Sequence, residues 1–133
     1  MKTLTFWFDV LSPYAYLAFE RLPEALEGCT YVADYRPVLL AGLLQHWGQK
    51  GPADLAPARD AGADDVKAAL RANTDEAIAR GLFGVPTIEL DGRLFWGVDA
   101  LPMVAAALTG DAWFAGPAWE EAGRARPGVQ RRR

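Results

Sequence analysis

The segment that most constrains the fold runs from Gly81 to Gly97 and predicts a β-hairpin. Its two short apolar strands flank Asp91-Gly92, a dipeptide that strongly favours a two-residue hairpin turn. Pro86 has no backbone N–H, so it belongs at the first residue of the first strand. Only about 5–6% of X-Pro bonds are cis, so the spacing alone does not fix the isomer of Val85-Pro86. We expect the Val85 backbone to lie beside whatever this protein binds.

The N-terminal segment predicts a buried strand followed directly by a helix. Residues 3–10 are β-branched and aromatic with almost no polarity, as in a strand in the middle of a sheet. Asp9 is out of place in such a run and is either a solvated strand end or a buried charge. Ser12 then fits the N-cap of a helix, and Pro13 fits its first position. The helix continues through residues 14–27.

The same helix and the next strand complete a β-α-β unit. The helix offers four large side chains to the core: Tyr16, Leu17, Phe19 and Leu26. We expect Pro23 to kink or restart the helix and Gly28 to end it. Residues 31–36 then predict a second strand, with Val32 facing inward.

The rest of the chain predicts helices on either side of the hairpin. Helical spacing covers residues 38–47, and residues 51–63, rich in Ala, Pro and Gly, indicate a connecting loop. A helix over residues 64–80 precedes the hairpin, and another over residues 99–109 follows it.

This order of elements, β-α-β, then helices, then β-β-α, predicts an α/β fold of the thioredoxin-like arrangement. The first two strands are expected to pair in parallel, and the hairpin extends the sheet. One domain spans residues 1–119, with a short helical insertion at about 39–80 between its two halves. Residues 120–133 are predicted to form a basic, disordered tail.

The distribution of charge argues against a nucleic-acid-binding surface. The chain has 14 basic and 17 acidic residues, and residues 120–133 hold five of the basic but only two of the acidic ones. The rest of the chain is therefore acidic, whereas phosphate binding needs clustered Lys and Arg. The Arg-rich tail is more typical of a solvated terminus than of an anion site.

Cysteine and histidine usage excludes two further kinds of site. Cys29 is the single cysteine, so no dithiol chemistry is possible within this chain, and we interpret it as a small apolar filler. His46 is the single histidine and has no partner at metal-ligand spacing, so we expect no metal site. No apolar run reaches the about 20 residues of a membrane span, and no signal peptide is recognisable. We expect a cytoplasmic protein.

Two positions at helix N-termini could carry chemistry. Backbone N–H groups there favour anions, and a thiolate held at Ser12-Pro13-Tyr14 would be stabilised in the same way. Ser12 could donate a hydrogen bond to that thiolate, although the pattern alone favours an ordinary N-cap serine. Asp99 is either a stabilising first-turn carboxylate or an acceptor for the ammonium group of a ligand.

Four motifs occur in the order found in a known family. They are Phe8–Leu17, Arg36–Leu40, Thr74–Thr87 and Leu94–Leu101. With them the chain resembles the 2-hydroxychromene-2-carboxylate isomerases, which belong with the kappa-class glutathione transferases in the DsbA-like branch of the thioredoxin superfamily. The resemblance covers most of residues 4–108 and implies glutathione as the cofactor.

The resemblance also implies the position of the glutathione sulfur. Ser12 stands where the redox relatives have their first active-site cysteine, and Ala15 stands where they have the second. This implies that Ser12 donates a hydrogen bond to the sulfur and is the catalytic residue, with Pro13 and Tyr14 beside it.

Further glutathione contacts are implied at four positions. A cis Pro86 would let the Val85 backbone pair with the cysteinyl part of glutathione like an added strand. Gln49 stands where the family has an Asn that reaches glutathione. Asp99 stands where a carboxylate meets the γ-glutamyl end.

The chain departs from the family pattern in two places. The family's helical insertion is longer than residues 39–80. The polar residue that usually precedes the acid is Val98 here, and the Arg that follows it is Ala100.

These implications leave three hypotheses. The first is a glutathione-dependent isomerase or transferase that acts on a small unsaturated aromatic acid. The second, a dithiol oxidoreductase, lacks a Cys-x-x-Cys pair. The third is a shortened, non-catalytic protein that binds a thiol, a peptide or a partner subunit. The two departures favour this third hypothesis, whereas the intact Ser12-Pro13-Tyr14 and Val85-Pro86 motifs favour the first.

The shortened insertion is also expected to leave apolar side chains bare. Because bare apolar patches mark interfaces, we expect a homodimer. The candidate interface residues are Leu43, Leu44, Trp47, Trp113 and Phe114.

Overall fold

The computed structural model describes residues 1–48 and 64–122, which form a four-stranded sheet with helices on both faces. The strands are β1 (Lys2–Phe8), β2 (Tyr31–Pro37), β3 (Thr87–Leu90) and β4 (Arg93–Trp96). Their order across the sheet is β2-β1-β3-β4. β1 pairs with β2 in parallel, and β3 is antiparallel to β1 and β4. This is the predicted thioredoxin-like arrangement. The predicted loop at 51–63 lies outside the described residues. Of the predicted tail at 120–133, residues 120–122 belong to a helix that ends at Ala122, and the rest lies outside the described residues.

Five helices connect and cover the strands. They are α1 (Pro13–Ala25), α2 (Leu40–His46), α3 (Asp64–Ala79), α4 (Leu101–Leu108) and α5 (Pro117–Ala122). Short 3₁₀ turns at Val98–Ala100 and Ala112–Ala115 precede α4 and α5. The predicted helical segments at 38–47, 64–80 and 99–109 are therefore confirmed, each with shifted ends.

The sheet separates two apolar clusters. Side chains of α1 and α4 form the larger one with β1, β3 and β4, around Leu4, Phe6, Leu22, Ile88 and Val104. Side chains of α2 and α3 form the smaller one on the other face, around Trp7, Val38, Leu43, Ala77 and Leu82. Because β1 contributes to both clusters, it is the central buried strand that its apolar sequence predicts.

The hairpin has the geometry that its turn sequence requires. Asp91 and Gly92 have φ angles of 51° and 76°, the two positive values of a type I′ turn. The Asp91 carboxylate also accepts a bond from Lys2 Nζ at 2.8 Å, which ties the turn to the start of β1.

The predictions for the buried face of α1 are partly wrong. Tyr16, Leu17 and Phe19 are exposed, and the buried stripe is formed by small and aliphatic residues: Ala15, Ala18, Leu22 and Leu26. Small side chains let the helix approach the sheet closely, so the larger ones lie on the flanks of the contact. Pro23 does not restart the helix, which continues to Ala25.

Three further burial predictions, for Val32, Leu43 and Phe114, are wrong because of where these residues lie in the fold. Val32 is exposed because β2 is an edge strand, and Tyr31 and Ala33 are the residues that pack on the larger cluster. Leu43 is fully buried in the smaller cluster, so it is not bare. Phe114 is also buried, against the rings of Phe95 and Trp119.

Of the apolar residues expected to be bare, two are exposed and one is partly buried. Trp47 and Trp113 are exposed, and Leu44 is intermediate. The Trp47 indole N–H nevertheless donates to the Leu82 carbonyl at 2.9 Å, which fixes the end of α2 to the segment after α3.

Replacing Leu43 by Ala tests the corrected core. Leu43 has 0% exposure, so its truncation leaves a cavity, and such changes cost about 2–5 kcal/mol of unfolding free energy. Leu44→Ala, one residue along the same helix and only partly buried, is the matched control and should cost less than half as much. Urea unfolding followed by circular dichroism measures both. Equal losses would contradict the assignment of Leu43 to the core.

Candidate functional site

The predicted site residues around Ser12 and Pro86 lie at one end of the sheet. In the register of β1 and β3, Trp7 pairs with Thr87. The exit from β1 toward Ser12 and the approach to β3 through Pro86 therefore lie at the same sheet end. Helix α1 also begins at this end of the sheet.

Ser12 is the N-cap of α1, as its sequence position predicts. Its backbone is extended (φ −86°, ψ 116°), and its Oγ accepts a bond from the Ala15 N–H at 3.3 Å. The residue is only 8% exposed. A hydroxyl that accepts at one lone pair keeps its own proton to donate. Pro13 and Tyr14 follow in the first turn and are both exposed.

The sequence leaves two alternatives open for Asp9, a solvated strand end or a buried charge, and the structure shows that the residue is buried. Its two carboxylate oxygens accept bonds from the Leu11 N–H at 2.9 Å and from the Leu40 N–H at 2.8 Å. Next to it, the Val38 N–H donates to the Phe8 carbonyl at 2.7 Å. Asp9 therefore joins the loop before α1 to the first residue of α2.

The segment before β3 presents free backbone groups. The Val85-Pro86 bond is cis, as the resemblance implies. In the described part of the chain, neither the N–H nor the C=O of Val85 has a hydrogen-bond partner. On either side, the Thr87 hydroxyl donates to the Gly84 carbonyl at 2.7 Å, and the Gly97 N–H donates to the Pro86 carbonyl at 2.9 Å. An extended peptide could satisfy the Val85 groups by strand-like pairing.

A tight contact fixes the shape of this segment. A Cβ added to Gly84 would lie 2.8 Å from Nε1 of Trp96, which is closer than real Cβ contacts come. The indole of Trp96 also packs on Phe83, with 5.1 Å between ring centroids. Glycine at position 84 is therefore needed for this aromatic pair to close over the backbone before Val85.

A groove of about 420 Å³ opens beside Ser12, between α1 and the edge of the sheet. It is lined by five aromatic side chains and four other residues: Phe6, Phe8, Asp9, Val10, Ser12, Ala15, Tyr16, Phe19 and Tyr35. Sequence reasoning missed this groove because it placed Tyr16 and Phe19 in the core. The available signal was the stripe of small residues on α1, which leaves the neighbouring aromatics outside the helix–sheet contact.

Asp99 does not line this groove. It lies in the 3₁₀ turn before α4 and borders a separate, open concavity of about 690 Å³ together with Arg21 and Glu24 of α1. Gln49 lies outside the described residues. The structure thus brings Ser12 and the Val85-Pro86 segment to one sheet end. It places Asp99 on a separate surface, beside Arg21 and Glu24 from the second half of α1.

The buried Trp7 carries a network of charges on its outer side. The guanidinium groups of Arg36 and Arg80 lie 5.4 and 6.0 Å from its ring centroid. Arg80 bonds to both Glu76 and Glu89, and Arg36 bonds to Glu76. Hydrogen bonds raise the pKa of both arginines, chiefly from Asp34 for Arg36 and from Glu89 for Arg80. This network of ion pairs packs against the β1 residue Trp7 on the sheet face opposite α1.

The remaining reactive side chains have structural surroundings. Cys29 is a free thiol packed against the larger cluster, as expected of an apolar filler. Burial is the main cause that raises the pKa of the nearby Tyr31 phenol. His46 stacks edge-on against Trp47, with 4.9 Å between centroids. Within residues 1–48 and 64–122, no group of three or more His, Cys, Asp or Glu is placed to bind a metal ion.

Comparison with known proteins gives the family of this chain. The family model described as the DsbA-like thioredoxin domain matches residues 3–62 and 54–109. Because this match covers well over half of the sequence, the chain belongs to the DsbA-like thioredoxin domain family. No curated protein matches the chain. No helix among the described residues is long and apolar enough to cross a membrane.

Two solved structures are similar in fold. A 2-hydroxychromene-2-carboxylate isomerase is 20% identical with a TM-score of 0.67, over 85% of this chain and 97% of that chain. A probable DsbA oxidoreductase from Streptomyces coelicolor is 14% identical with a TM-score of 0.53, over 84% of this chain and 91% of that chain. At these identities the likeness shows the fold alone.

Asp9→Asn tests whether the buried carboxylate holds the site together. An amide has a single acceptor oxygen and would turn its NH₂ group toward one of the two backbone donors, so the unfolding free energy should fall by about 1–3 kcal/mol. Asp111→Asn is the matched control, because its carboxylate accepts one bond, from the Trp113 N–H, in an exposed turn. Thermal and urea unfolding compare the two variants. A loss for Asp9→Asn no larger than that for Asp111→Asn would contradict this role.

Proposed function

We propose that this protein is a glutathione-dependent enzyme of the isomerase or transferase type, with Ser12 as the residue that holds the thiolate. The observation that carries the proposal is the position of the Ser12 hydroxyl. Ser12 is buried at the N-terminus of α1, lines an aromatic groove and lies at the same sheet end as the Val85 backbone, which has no hydrogen-bond partner among residues 1–48 and 64–122. No other described side chain combines a free donor proton, a helix N-terminus and a groove.

The surroundings of Ser12 favour a bound thiolate over a thiol. The N-terminus of α1 supplies partial positive charge from its backbone dipoles, equivalent to about half an elementary charge. Such a position lowers the pKa of a thiol, and the Ser12 hydroxyl adds one donated hydrogen bond. Both effects act on the ionised sulfur and not on the neutral thiol.

The rest of glutathione would extend from the sulfur along the Val85 backbone. The free N–H and C=O of Val85 are suited to the two backbone groups of a cysteinyl residue. Pro13 and Tyr14 would flank the sulfur, and Asp99 would accept from the γ-glutamyl ammonium group. Gln49 is the further contact that the family pattern suggests.

The chemistry that this arrangement supports is reversible thiol addition. The thiolate would attack the conjugated carbon–carbon double bond of a small unsaturated aromatic compound, forming a C–S bond and moving the π electrons onto the conjugated carbonyl. The former double bond is then single and rotates. Return of the electrons expels the thiolate and leaves the other geometric isomer. The sulfur is neither oxidised nor reduced, which suits a chain without a cysteine pair.

The second candidate is a non-catalytic protein that binds a thiol, a peptide or a partner subunit. One observation favours it: the Ser12 oxygen already accepts the Ala15 N–H, which is the whole role of an ordinary N-cap. The apolar residues Val98 and Ala100 on either side of Asp99 also remove polar contacts from the expected γ-glutamyl end.

We further propose a homodimer, because Trp47 and Trp113 remain exposed after the chain has folded. A cytoplasmic location remains the proposal made from the sequence. Sedimentation velocity across a hundredfold range of protein concentration measures the oligomeric state directly. A single monomeric species at the highest concentration would contradict the dimer and leave the proposed chemistry unaffected.

Calorimetric titration with reduced glutathione tests the role of Ser12 through three variants. Ser12→Ala removes both the cap and the donor. Ser12→Asp keeps a good N-cap acceptor but has no proton to donate and repels a thiolate. Ser12→Thr keeps both functions. If Ser12 binds the sulfur, Ala and Asp should each weaken binding by about tenfold, the value expected of a lost charge-assisted hydrogen bond, and Thr should retain it.

The Asp variant decides whether Ser12 binds the sulfur or serves only as the N-cap of α1. If Ser12 is only an N-cap, Ser12→Asp should bind glutathione as tightly as the unaltered protein, and the assignment of the thiol to this residue is then wrong. Absence of any binding at millimolar glutathione would remove the enzyme proposal. The ultraviolet absorbance of the thiolate, followed against pH, should also show a lower thiol pKa in the complex than in free glutathione.

A further inference from the structure

We infer that the groove between α1 and β2 binds one planar aromatic compound that carries no negative charge, and that Asp9 makes it discriminate against aromatic acids. This differs from the acid substrate that the family resemblance implies. The inference rests on the proposed function for the thiol that would meet this compound beside Ser12, but binding itself can be measured without glutathione.

The walls of the groove are aromatic on three sides. Phe6 and Phe8 contribute from β1, with ring centroids 5.8 Å apart, and Tyr35 contributes from β2. Tyr16 and Phe19 contribute from α1. The Tyr35 ring lies 5.8 Å from Phe6 and 5.7 Å from Phe19, so it links the strand side to the helix side.

These rings are packed on one side only. Phe19 is 48% exposed and Tyr35 is 45% exposed, although each has an aromatic neighbour. An aromatic ligand between them would gain offset or edge-on contacts at distances that such rings prefer, about 4.5–7 Å between centroids. The volume of about 420 Å³ lies within the range of small-molecule sites. Size and ring geometry therefore both suit a single planar ligand.

The charge at the groove comes from Asp9. Asp9 lines the groove, and two backbone N–H groups hold its carboxylate in a fixed position there. A second carboxylate brought into this partly dry space would be repelled, because like charges interact strongly where water is excluded. A hydroxyl or carbonyl group on the ligand carries no such penalty.

Ser12 and Ala15 set the position of the ligand relative to the reaction. Both line the groove, where α1 begins. The small Ala15 side chain leaves room beside the Ser12 hydroxyl, so an aromatic compound in the groove would lie next to a sulfur held by that hydroxyl.

The test uses two ligands with the same rings, 2-naphthol and 2-naphthoate, titrated calorimetrically into the full chain in the absence of glutathione. We expect 2-naphthol to bind with one-to-one stoichiometry and 2-naphthoate to bind about tenfold more weakly, because of the repulsion from Asp9. A cationic analogue, 2-naphthylmethylamine, should bind at least as tightly as 2-naphthol. Equal binding of the three ligands, or no binding of 2-naphthol, would overturn the inference.

Two truncations locate the binding. Phe19→Ala removes one aromatic side of the groove and should weaken the binding of 2-naphthol by about three- to tenfold, the loss of affinity expected for one aromatic contact. Phe83→Ala is the matched control, since Phe83 is 51% exposed, close to the 48% of Phe19, but packs on Trp96 outside the groove. Similar losses for the two variants would place the ligand elsewhere. A change in oligomeric state with Phe19→Ala, and none in ligand affinity, would make the groove an interface and would also overturn the inference.

Asp9→Asn tests the selectivity itself. It should narrow the preference for 2-naphthol over 2-naphthoate by at least about threefold, provided that its circular dichroism spectrum matches that of the unaltered protein. If this variant does not fold, the cationic analogue supplies the same comparison in the native chain.

The two proposals fail in different ways. Binding of 2-naphthol without any binding of glutathione would support the groove as a ligand site and contradict the proposed glutathione-dependent enzyme. Binding of glutathione that depends on Ser12, with no binding of 2-naphthol, would support the thiol site and contradict the groove as a ligand site.

Discussion

The Asp9 carboxylate is the interaction on which the geometry of the site depends. It follows the central strand, and its two oxygens hold the Leu11 and Leu40 backbone N–H groups. One of these lies in the loop that delivers Ser12 to the start of α1, and the other is the first residue of α2. A single side chain thus links the end of β1 and the loop that follows it to α2, which begins 31 residues later. Burial of an ionised group is costly unless such bonds compensate it. Loss of either bond should therefore destabilise the connection between the loop before α1 and the start of α2.

The close approach of α1 to the sheet has a second consequence for the site. Because Ala15 and Ala18 form the contact, the helix lies low on β1 and its larger side chains stand along the rim. The rim on the β2 side is where the sheet ends, so Phe19 and Tyr35 meet there without a further strand to cover them. The aromatic groove is therefore a product of an edge strand and a small-residue helix face, and neither feature alone would create it.

The sequence predicts those features of this fold that local chemistry decides. The Asp91-Gly92 turn and the Ser12 N-cap each depend on a few neighbouring residues, and the element order follows from hydrophobic periodicity. Side-chain burial was predicted less well, because it depends on partners far along the chain. Val32 is exposed because β2 is the edge strand of the sheet that the described residues form, and Phe19 is exposed because the helix contact uses smaller residues. The role of Asp9 required knowledge of α2, 31 residues later.

Neither Ser12 nor Ala15, at the start of α1, carries a sulfur atom, and Cys29 is the single cysteine of the sequence. Within this chain there is consequently no place to store a pair of electrons, since Cys29 is packed against the larger cluster. A thiol brought in by a ligand would leave the site in the oxidation state in which it arrived. Turnover by thiol addition and release would then require no reductase to reset the protein, because the thiol is released unchanged and can serve again.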